Sequence, residues 1–161
     1  MDKLIDALCL QCGLCCSGVL FADVRPEHGD ASPLFTGKRS RVSQPCPACQ
    51  SATCACSIYA ARPARCRNFE CRQLRGVRAG TTTTEKALRQ IRAARDLAAK
   101  IEKLLTELGY NNEQLPLSRR FQRCQRAAEN GNLPESQFDR MAELQLAVHR
   151  LTGLLASEFY S

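Results

Sequence analysis

Ten of the chain's eleven cysteines fall within residues 9–71. The segment opens with the pattern C-x-x-C-x-x-C-C, formed by Cys9, Cys12, Cys15 and Cys16. A two-residue gap between cysteines lets a tight turn direct two sulfurs at one centre, as in zinc and iron–sulfur sites. We therefore expect the segment to bind metal, either in one site that later cysteines complete or in two separate sites. The later cysteines of the segment are Cys46, Cys49, Cys54, Cys56, Cys66 and Cys71.

The residues before the first cysteine include acids and lack the basic stretch and long apolar stretch of a secretory signal. The apolar runs of the sequence fall far short of the roughly 20 residues that a membrane span needs. These features predict a cytoplasmic protein with no membrane segment. Structural disulfides are rare in that reducing compartment, so the thiols need another purpose. Metal binding supplies one.

The sequence leaves two alternatives for the metal. One is zinc or mononuclear iron, and the other is an iron–sulfur cluster. The run C-x-x-C-x-x-C with a distant Cys46-Pro47 is similar to the pattern in which three close thiolates and one remote thiolate hold a cubane cluster. In contrast, the neighbours Cys15 and Cys16 cannot easily bind one tetrahedral ion together, whereas they can supply two adjacent centres. A set of about eight thiolates would suit two tetrahedral zinc sites. The expected cofactor is zinc or iron, with an iron–sulfur cluster as the alternative.

Three stretches of the sequence resemble the YkgJ-type cysteine-cluster family, the CxxCxxCC family that is described as chelating zinc or iron. They are the leading C-x-x-C-x-x-C-C, the segment CSIYAARPARCRNFE over residues 56–70, and Arg123-Cys124-Gln-Arg-Ala with the later Gly131-Asn-Leu-Pro134. The middle motif, C-x-I-Y-x-x-R-P-x-x-C-R-x-F, is long and specific. The resemblance spans roughly residues 9–134, and the connecting stretches match less closely.

The resemblance implies a shared cluster of metal ligands. One ligand would come from Cys46, Cys49 or Cys54, and Cys71 is an additional candidate. The resemblance implies no particular activity, and the sequence has no glycine-rich cofactor-binding unit that would suggest one. Catalytic residues are therefore not predicted. The other members of the implied cluster are Cys9, Cys12, Cys15, Cys16, Cys56, Cys66 and Cys124.

Two long amphipathic stripes predict helices in the second half of the chain. The first stripe follows a capping box at Thr82-x-x-Glu85 and ends at Gly109. A shorter helix is predicted over residues 118–129, and a last one begins near Pro134. The stripes consist of Leu88, Ile91, Ala94, Ala98, Ile101, Leu105 and Leu108, and of Phe138, Met141, Leu144, Val148, Leu151, Leu155 and Phe159.

The first 80 residues lack such periodicity, and residues 19–24 are their only strand-like stretch. We expect a mainly α protein in which an irregular, metal-organised, cysteine-rich half packs on a C-terminal helical hairpin. The boundary between the metal-binding module (1–80) and the hairpin (81–161) lies where the cysteines give way to the first stripe. The two are expected to form one compact unit.

The formal net charge of +7 is concentrated in the first half, where residues 1–80 carry 11 basic and 6 acidic side chains. Six arginines fall within residues 62–78. Such a cluster suggests nucleic acid as one partner. However, about eight thiolates with two divalent ions would add a charge of about −4, so much of the arginine would balance the metal sites.

The sequence therefore favours a cysteine-thiolate metal-binding protein with a structural or binding role. One alternative is an iron–sulfur redox protein or electron carrier. Another is a zinc-ribbon-like nucleic-acid-binding module. The metal ion is the partner that the residues specify, and they identify no partner protein.

Overall fold

The computed structural model describes residues 3–37 and 40–160. Within them, helices carry most of the regular structure, and two-residue strands form two small antiparallel sheets. The helices are α1 (Lys3–Cys12), α2 (Ala64–Asn68), α3 (Arg72–Arg78), α4 (Thr84–Glu107), α5 (Leu117–Glu129) and α6 (Phe138–Glu158). Strand β1 (Asp23–Val24) pairs with β2 (Val42–Ser43), and β3 (Cys49–Gln50) pairs with β4 (Ala55–Cys56). Short 3-10 turns lie at Pro33–Phe35, Tyr59–Ala61 and Glu135–Gln137. None of these helices combines the length and apolar character that crossing a bilayer requires.

Helix α4 begins one residue later than its sequence signal. Thr83, rather than Thr82, is the N-cap, and its hydroxyl accepts a hydrogen bond from the backbone N–H of Lys86 at 3.2 Å. The helix ends before Gly109, as the stripe predicts. Gly109 has a φ of +88°, a left-handed conformation that glycine adopts without steric cost.

Helices α4 and α6 pack along each other and form the centre of the core. Leu105 of α4 is completely buried, as are Leu144 of α6 and Phe159 at the end of that helix. The mainly α fold with a C-terminal helical hairpin is thus confirmed. Phe138 departs from the predicted stripe, because its side chain is 54% exposed. It is the first residue of α6, and the buried stripe begins at Met141 instead.

The cysteine-rich half contains three helices that its sequence pattern does not predict. The longest is α1, a helix of 10 residues that carries Cys9 and Cys12. Helices α2 and α3 are short and flank Cys71. Of the strand-like stretch 19–24, only the two residues of β1 are paired. The rest of this half runs through turns and irregular backbone.

A single apolar core joins the two halves. Leu8 of α1 and Leu74 of α3 are buried in the same cluster as the side chains of α4 and α6. Hydrogen bonds close the edge of this contact: the backbone N–H of Arg72 donates to the carbonyl of Phe159 at 3.0 Å. The hydroxyl of Tyr160 donates to the carbonyl of Leu20 at 3.1 Å. The cysteine-rich half is therefore fixed to the hairpin by burial as well as by backbone bonds.

The substitution Leu144→Ala should destabilise the fold by about 2–5 kcal/mol, because it leaves a cavity where α4 and α6 pack. Leu146→Ala is a matched control on the same helix, since the Leu146 side chain is 52% exposed. It should change the free energy of unfolding by less than about 0.5 kcal/mol. Urea unfolding followed by helical circular dichroism measures both. Equal losses in the two variants would contradict the packing of α6 described above.

Candidate metal centre

The end of α1 presents the first thiols. Cys9 and Cys12 are three residues apart, so they lie on one face of this helix. Gly13 ends the helix, since its N–H donates to the carbonyl of Cys9 at 3.2 Å and its φ is +65°. In the turn that follows, the N–H of Cys16 donates to the carbonyl of Gly13 at 3.1 Å. The C-x-x-C-x-x-C-C motif is therefore folded around one helix end.

Backbone hydrogen bonds carry later cysteines to the same place. The N–H of Cys46 donates to the carbonyl of Cys16 at 2.8 Å, and the N–H of Cys49 donates to the carbonyl of Cys46 at 3.0 Å. Cys49 in turn stands opposite Cys56 in the β3–β4 hairpin. Segments that are distant in sequence thus meet beside the end of α1.

Cys54 lies in the turn between β3 and β4 and reaches back to α1. Its φ is +54°, a left-handed conformation that costs energy in a residue other than glycine. Its sulfur lies against Gly13, because a Cβ built at that position would be only 2.6 Å from Cys54 Sγ. Glycine at position 13 therefore allows this thiol to approach the end of α1.

A first thiol group surrounds the end of α1. The pKa of the Cys12 thiol is raised to about 12, first by burial and also by the charges that Cys71, Cys9 and Cys54 would carry. The pKa of Cys15 is raised as well, by burial first and then by Cys12 and other thiols. Thiols whose charges interact in this way lie close together. We define the first thiol group as Cys9, Cys12, Cys15, Cys54 and Cys71.

A second thiol group forms around Cys16. Burial raises the pKa of this thiol, and so do the charges that its four neighbours would carry. The pKa of Cys66 is raised to about 11, by burial first and also by Cys46 and Cys56. The pKa of Cys49 is raised by burial first and then by the charge that Cys54 of the first group would carry, while an interaction with Cys16 lowers it. We define the second thiol group as Cys16, Cys46, Cys49, Cys56 and Cys66.

The two groups adjoin at two places, at Cys15 and Cys16 and at Cys54 and Cys49. Cys15 and Cys16 are neighbours in the chain, yet the thiols that act most on each of them are largely different. The charge of Cys16 also raises the pKa of Cys15, so the two groups are electrostatically in contact at this point. Two adjacent cysteines therefore belong to different thiol groups.

Cys124 lies apart from both groups. It belongs to α5, and its side chain is completely buried in the apolar core. Its Sγ is 3.6 Å from Sδ of Met141, and burial raises the pKa of its thiol. Ten of the eleven cysteines thus lie in the two thiol groups, whereas Cys124 lies among core residues.

The fit of a metal depends on donor chemistry and on how the sulfurs are arranged. Within residues 3–37 and 40–160, no three Cys, His, Asp or Glu side chains stand in an arrangement that could hold a metal ion. The donor chemistry suits zinc and iron, for which thiolates are common ligands. Burial and mutual repulsion oppose ionisation of these thiols, and a divalent cation would offset both effects. The donor set therefore fits such an ion once the sulfurs turn toward a common centre.

Several arginines near the thiol groups contact the protein itself. The guanidinium carbon of Arg62 is 4.0 Å from the centroid of the Tyr59 ring. Arg78 forms an ion pair with Glu70. Arg65 lies over the ring of Phe21, at 5.7 Å from its centroid. These contacts leave less of the basic cluster over residues 62–78 available to an anionic partner such as nucleic acid.

Comparison with known proteins identifies one family. The model of the family "CxxCxxCC: Putative zinc- or iron-chelating domain" matches residues 8–89. The match extends from α1 into α4 and includes every cysteine of the two thiol groups, whereas Cys124 lies beyond its end. No curated protein and no solved structure shows significant similarity to the chain. With half of its length matched and the cysteines gathered around the motif, the chain belongs to the CxxCxxCC family of zinc- or iron-chelating domains.

Proposed function

We propose that the protein binds two ions of zinc or iron, one in each thiol group, and that these ions have a structural role. The observation that carries the proposal is the division of the clustered thiols into two groups, which adjoin at Cys15 and Cys16 and where Cys54 approaches Cys49. A tetrahedral ion takes four thiolates, so each group has enough sulfurs for one ion. Membership of the family supports metal chelation in general.

The structural role rests on how little regular structure holds the thiol-bearing loops. Between α1 and α3, the chain has only two-residue strands, short 3-10 turns and the five residues of α2 within its described part. Ordering such a segment costs conformational entropy, which few backbone bonds offset here. Metal ions that join turns distant in sequence would supply the missing free energy.

The grouping favours two ions over a single cubane cluster completed by Cys46. That cluster would need Cys46 beside Cys9 and Cys12, whereas Cys46 is hydrogen-bonded to Cys16 and interacts with Cys56. Cys54 and Cys71 stand beside Cys12 instead. We therefore assign Cys46 to the second ion and propose no electron-transfer role.

Protein purified without oxygen should contain about two equivalents of zinc plus iron. The double variant Cys12→Ser/Cys71→Ser should lose about one equivalent, because about three thiols remain in the first group. Cys46→Ser/Cys66→Ser should lose the other for the same reason. Cys124→Ala is the matched control and should keep both ions, since its thiol lies in the apolar core. Elemental analysis measures the metal, and the absorption spectrum separates colourless zinc from iron.

Two results would contradict the proposal. Less than about 0.2 equivalents of every transition metal in the unaltered protein would exclude resident metal. Loss of metal from Cys124→Ala, with helical content unchanged, would instead place Cys124 among the ligands, as the family resemblance implies.

The approach of Cys54 to Gly13 gives a second test. Gly13→Ala would force the Cys54 thiol away from α1 and should lower the metal content of the first group alone. Gly29→Ala is the control, because Gly29 has a φ of +77° but no atom within 4 Å of a built Cβ. Both variants carry a similar backbone penalty, so any difference in metal content reports on the Cys54 contact. Equal metal content in the two variants would argue against Cys54 as a ligand.

Removal of the metal should affect the two halves unequally. A chelator should leave substantial helical circular dichroism, because α4 and α6 pack on each other and neither helix carries a cysteine. It should also make the loops sensitive to trypsin, with early cleavage at the arginines of residues 62–78. Restoring zinc should restore protection. If the helical signal disappears in step with the metal, the halves fold as one cooperative unit and the metal stabilises all of it.

A further inference from the structure

Arg120 of α5 is a buried charge without a counter-charge. The residue is only 3% exposed, and its Nε donates a hydrogen bond to the carbonyl of Tyr110 at 2.8 Å. Within residues 3–37 and 40–160, no carboxylate forms an ion pair with it. Removing a guanidinium from water is costly unless an opposite charge accompanies it. Arg120 therefore requires an anion that the described residues do not supply.

The acidic residues that precede α5 in the chain do not provide this anion. Glu107, at the end of α4, pairs with Lys103 and Arg140. Glu113, in the loop between α4 and α5, is exposed and forms no ion pair within the described part of the chain. The first turn of α5 contains no acidic side chain, so the positive end of the helix dipole is also unbalanced there.

Arg120 lines a small pocket between this loop and α5. The pocket has a volume of about 110 Å³, several times what one water molecule requires, and it is partly open to solvent. Its other donors are Arg123 and the side-chain amides of Asn111 and Asn112, and none of the described residues that line it is acidic. Oδ1 of Asn112 already accepts from the backbone N–H of Gln114 at 3.1 Å, so its amide nitrogen is left to donate.

The terminal nitrogens of Arg120 are available to a ligand in this pocket. The one hydrogen bond of the guanidinium to the described residues is made by Nε. The terminal nitrogens are not among the fully enclosed side-chain atoms that lack a partner, so they keep access to solvent. The pocket that Arg120 lines provides this access. A planar pair of N–H donors beside a second arginine matches the oxygens of a phosphate group.

We propose that this pocket binds a phosphate group, as free phosphate or as the end of a phosphorylated small molecule, with Arg120 and Arg123 as its charged contacts. A phosphate group carries a charge of about −1.5 to −2 near neutral pH, which balances two guanidinium groups, whereas a carboxylate balances one. The pocket contains no cysteine and lies beyond residues 8–89, which the family model matches. The proposal is therefore independent of the metal function.

Titration of the full chain with inorganic phosphate at low salt, followed by calorimetry, tests the site. Arg123→Gln should weaken binding by about 10- to 100-fold, because it removes a charged hydrogen-bond donor. Arg119→Gln is the matched control, since Arg119 is also an exposed arginine of α5 but does not line the pocket. It should weaken binding by less than about threefold, through the loss of a screened attraction. Equal losses in the two variants would show that phosphate binds along the helix surface and would overturn the proposal.

Two further variants test whether the protein itself neutralises Arg120. Arg120→Lys keeps the charge but lacks the planar pair of donors, and it should weaken phosphate binding by about tenfold or more. Glu113→Gln should leave the free energy of unfolding unchanged and should bind phosphate at least as tightly as the unaltered protein. A destabilised Glu113→Gln with weakened phosphate binding would make Glu113 the partner of Arg120 and contradict a ligand site.

Two other anions define the class of ligand. Glycerol 3-phosphate should bind at least as tightly as inorganic phosphate if the natural ligand is a phosphorylated small molecule, and more weakly if the site takes the free ion. Acetate carries a single charge and should bind about tenfold more weakly than phosphate or worse. Equal affinity for acetate and phosphate would contradict the assignment of a phosphate group.

A measurement on the unaltered chain covers the case in which the Arg120 variant does not fold. Phosphate should shift the 15N NMR resonances of Arg120 Nε and of the side-chain amides of Asn111 and Asn112. Nε of Arg119 provides the internal reference and should shift less. The absence of any shift at Arg120 with up to about 10 mM phosphate would overturn the proposal.

Discussion

The packing of α1 against α4 determines where the thiols lie. Leu8 anchors α1 in the apolar core, and the guanidinium of Arg95 on α4 donates to the carbonyl of Gln11 in the last turn of α1. That carbonyl lies at the negative end of the helix, where a cation is favoured. The end of α1 is therefore fixed, and the turn from Gly13 starts from a defined place. The contacts of the first thiol group build on this helix end.

The elements that can be predicted from the sequence are those whose structure is determined by residues close together in the chain. The stripes of α4 and α6 repeat over several turns, so their period alone specifies a buried face. Gly109 and Gly131 end their helices because each adopts positive φ. The sequence pattern does not reveal helix α1, because Cys9 and Cys12 have the spacing of metal ligands. The contact of this helix with the core depends on Leu8, while Cys9 is exposed.

The spacing of the cysteines does not predict how the thiols group in space. The contact of Cys54 with Gly13 and the hydrogen bond from Cys46 to Cys16 are long-range, and nothing in the local sequence announces either. Nor does the sequence reveal the positive φ of Cys54, since no glycine or asparagine marks it. Spacing predicts only that ten cysteines belong to a shared region. It leaves open which of them stand together, because that depends on how the loops return to α1.

Helix α1 couples the core to the first thiol group but not equally to the second. It carries Leu8 in the core and Cys9 and Cys12 among the thiols, so burial and metal binding act on the same ten residues. The second group draws its later thiols from the loop at Cys46, the β3–β4 hairpin and α2, and joins α1 only through the turn that ends at Cys16. Loosening α1 from α4 would therefore displace the thiols of the first group directly. The second group would be affected only as far as that turn transmits the movement.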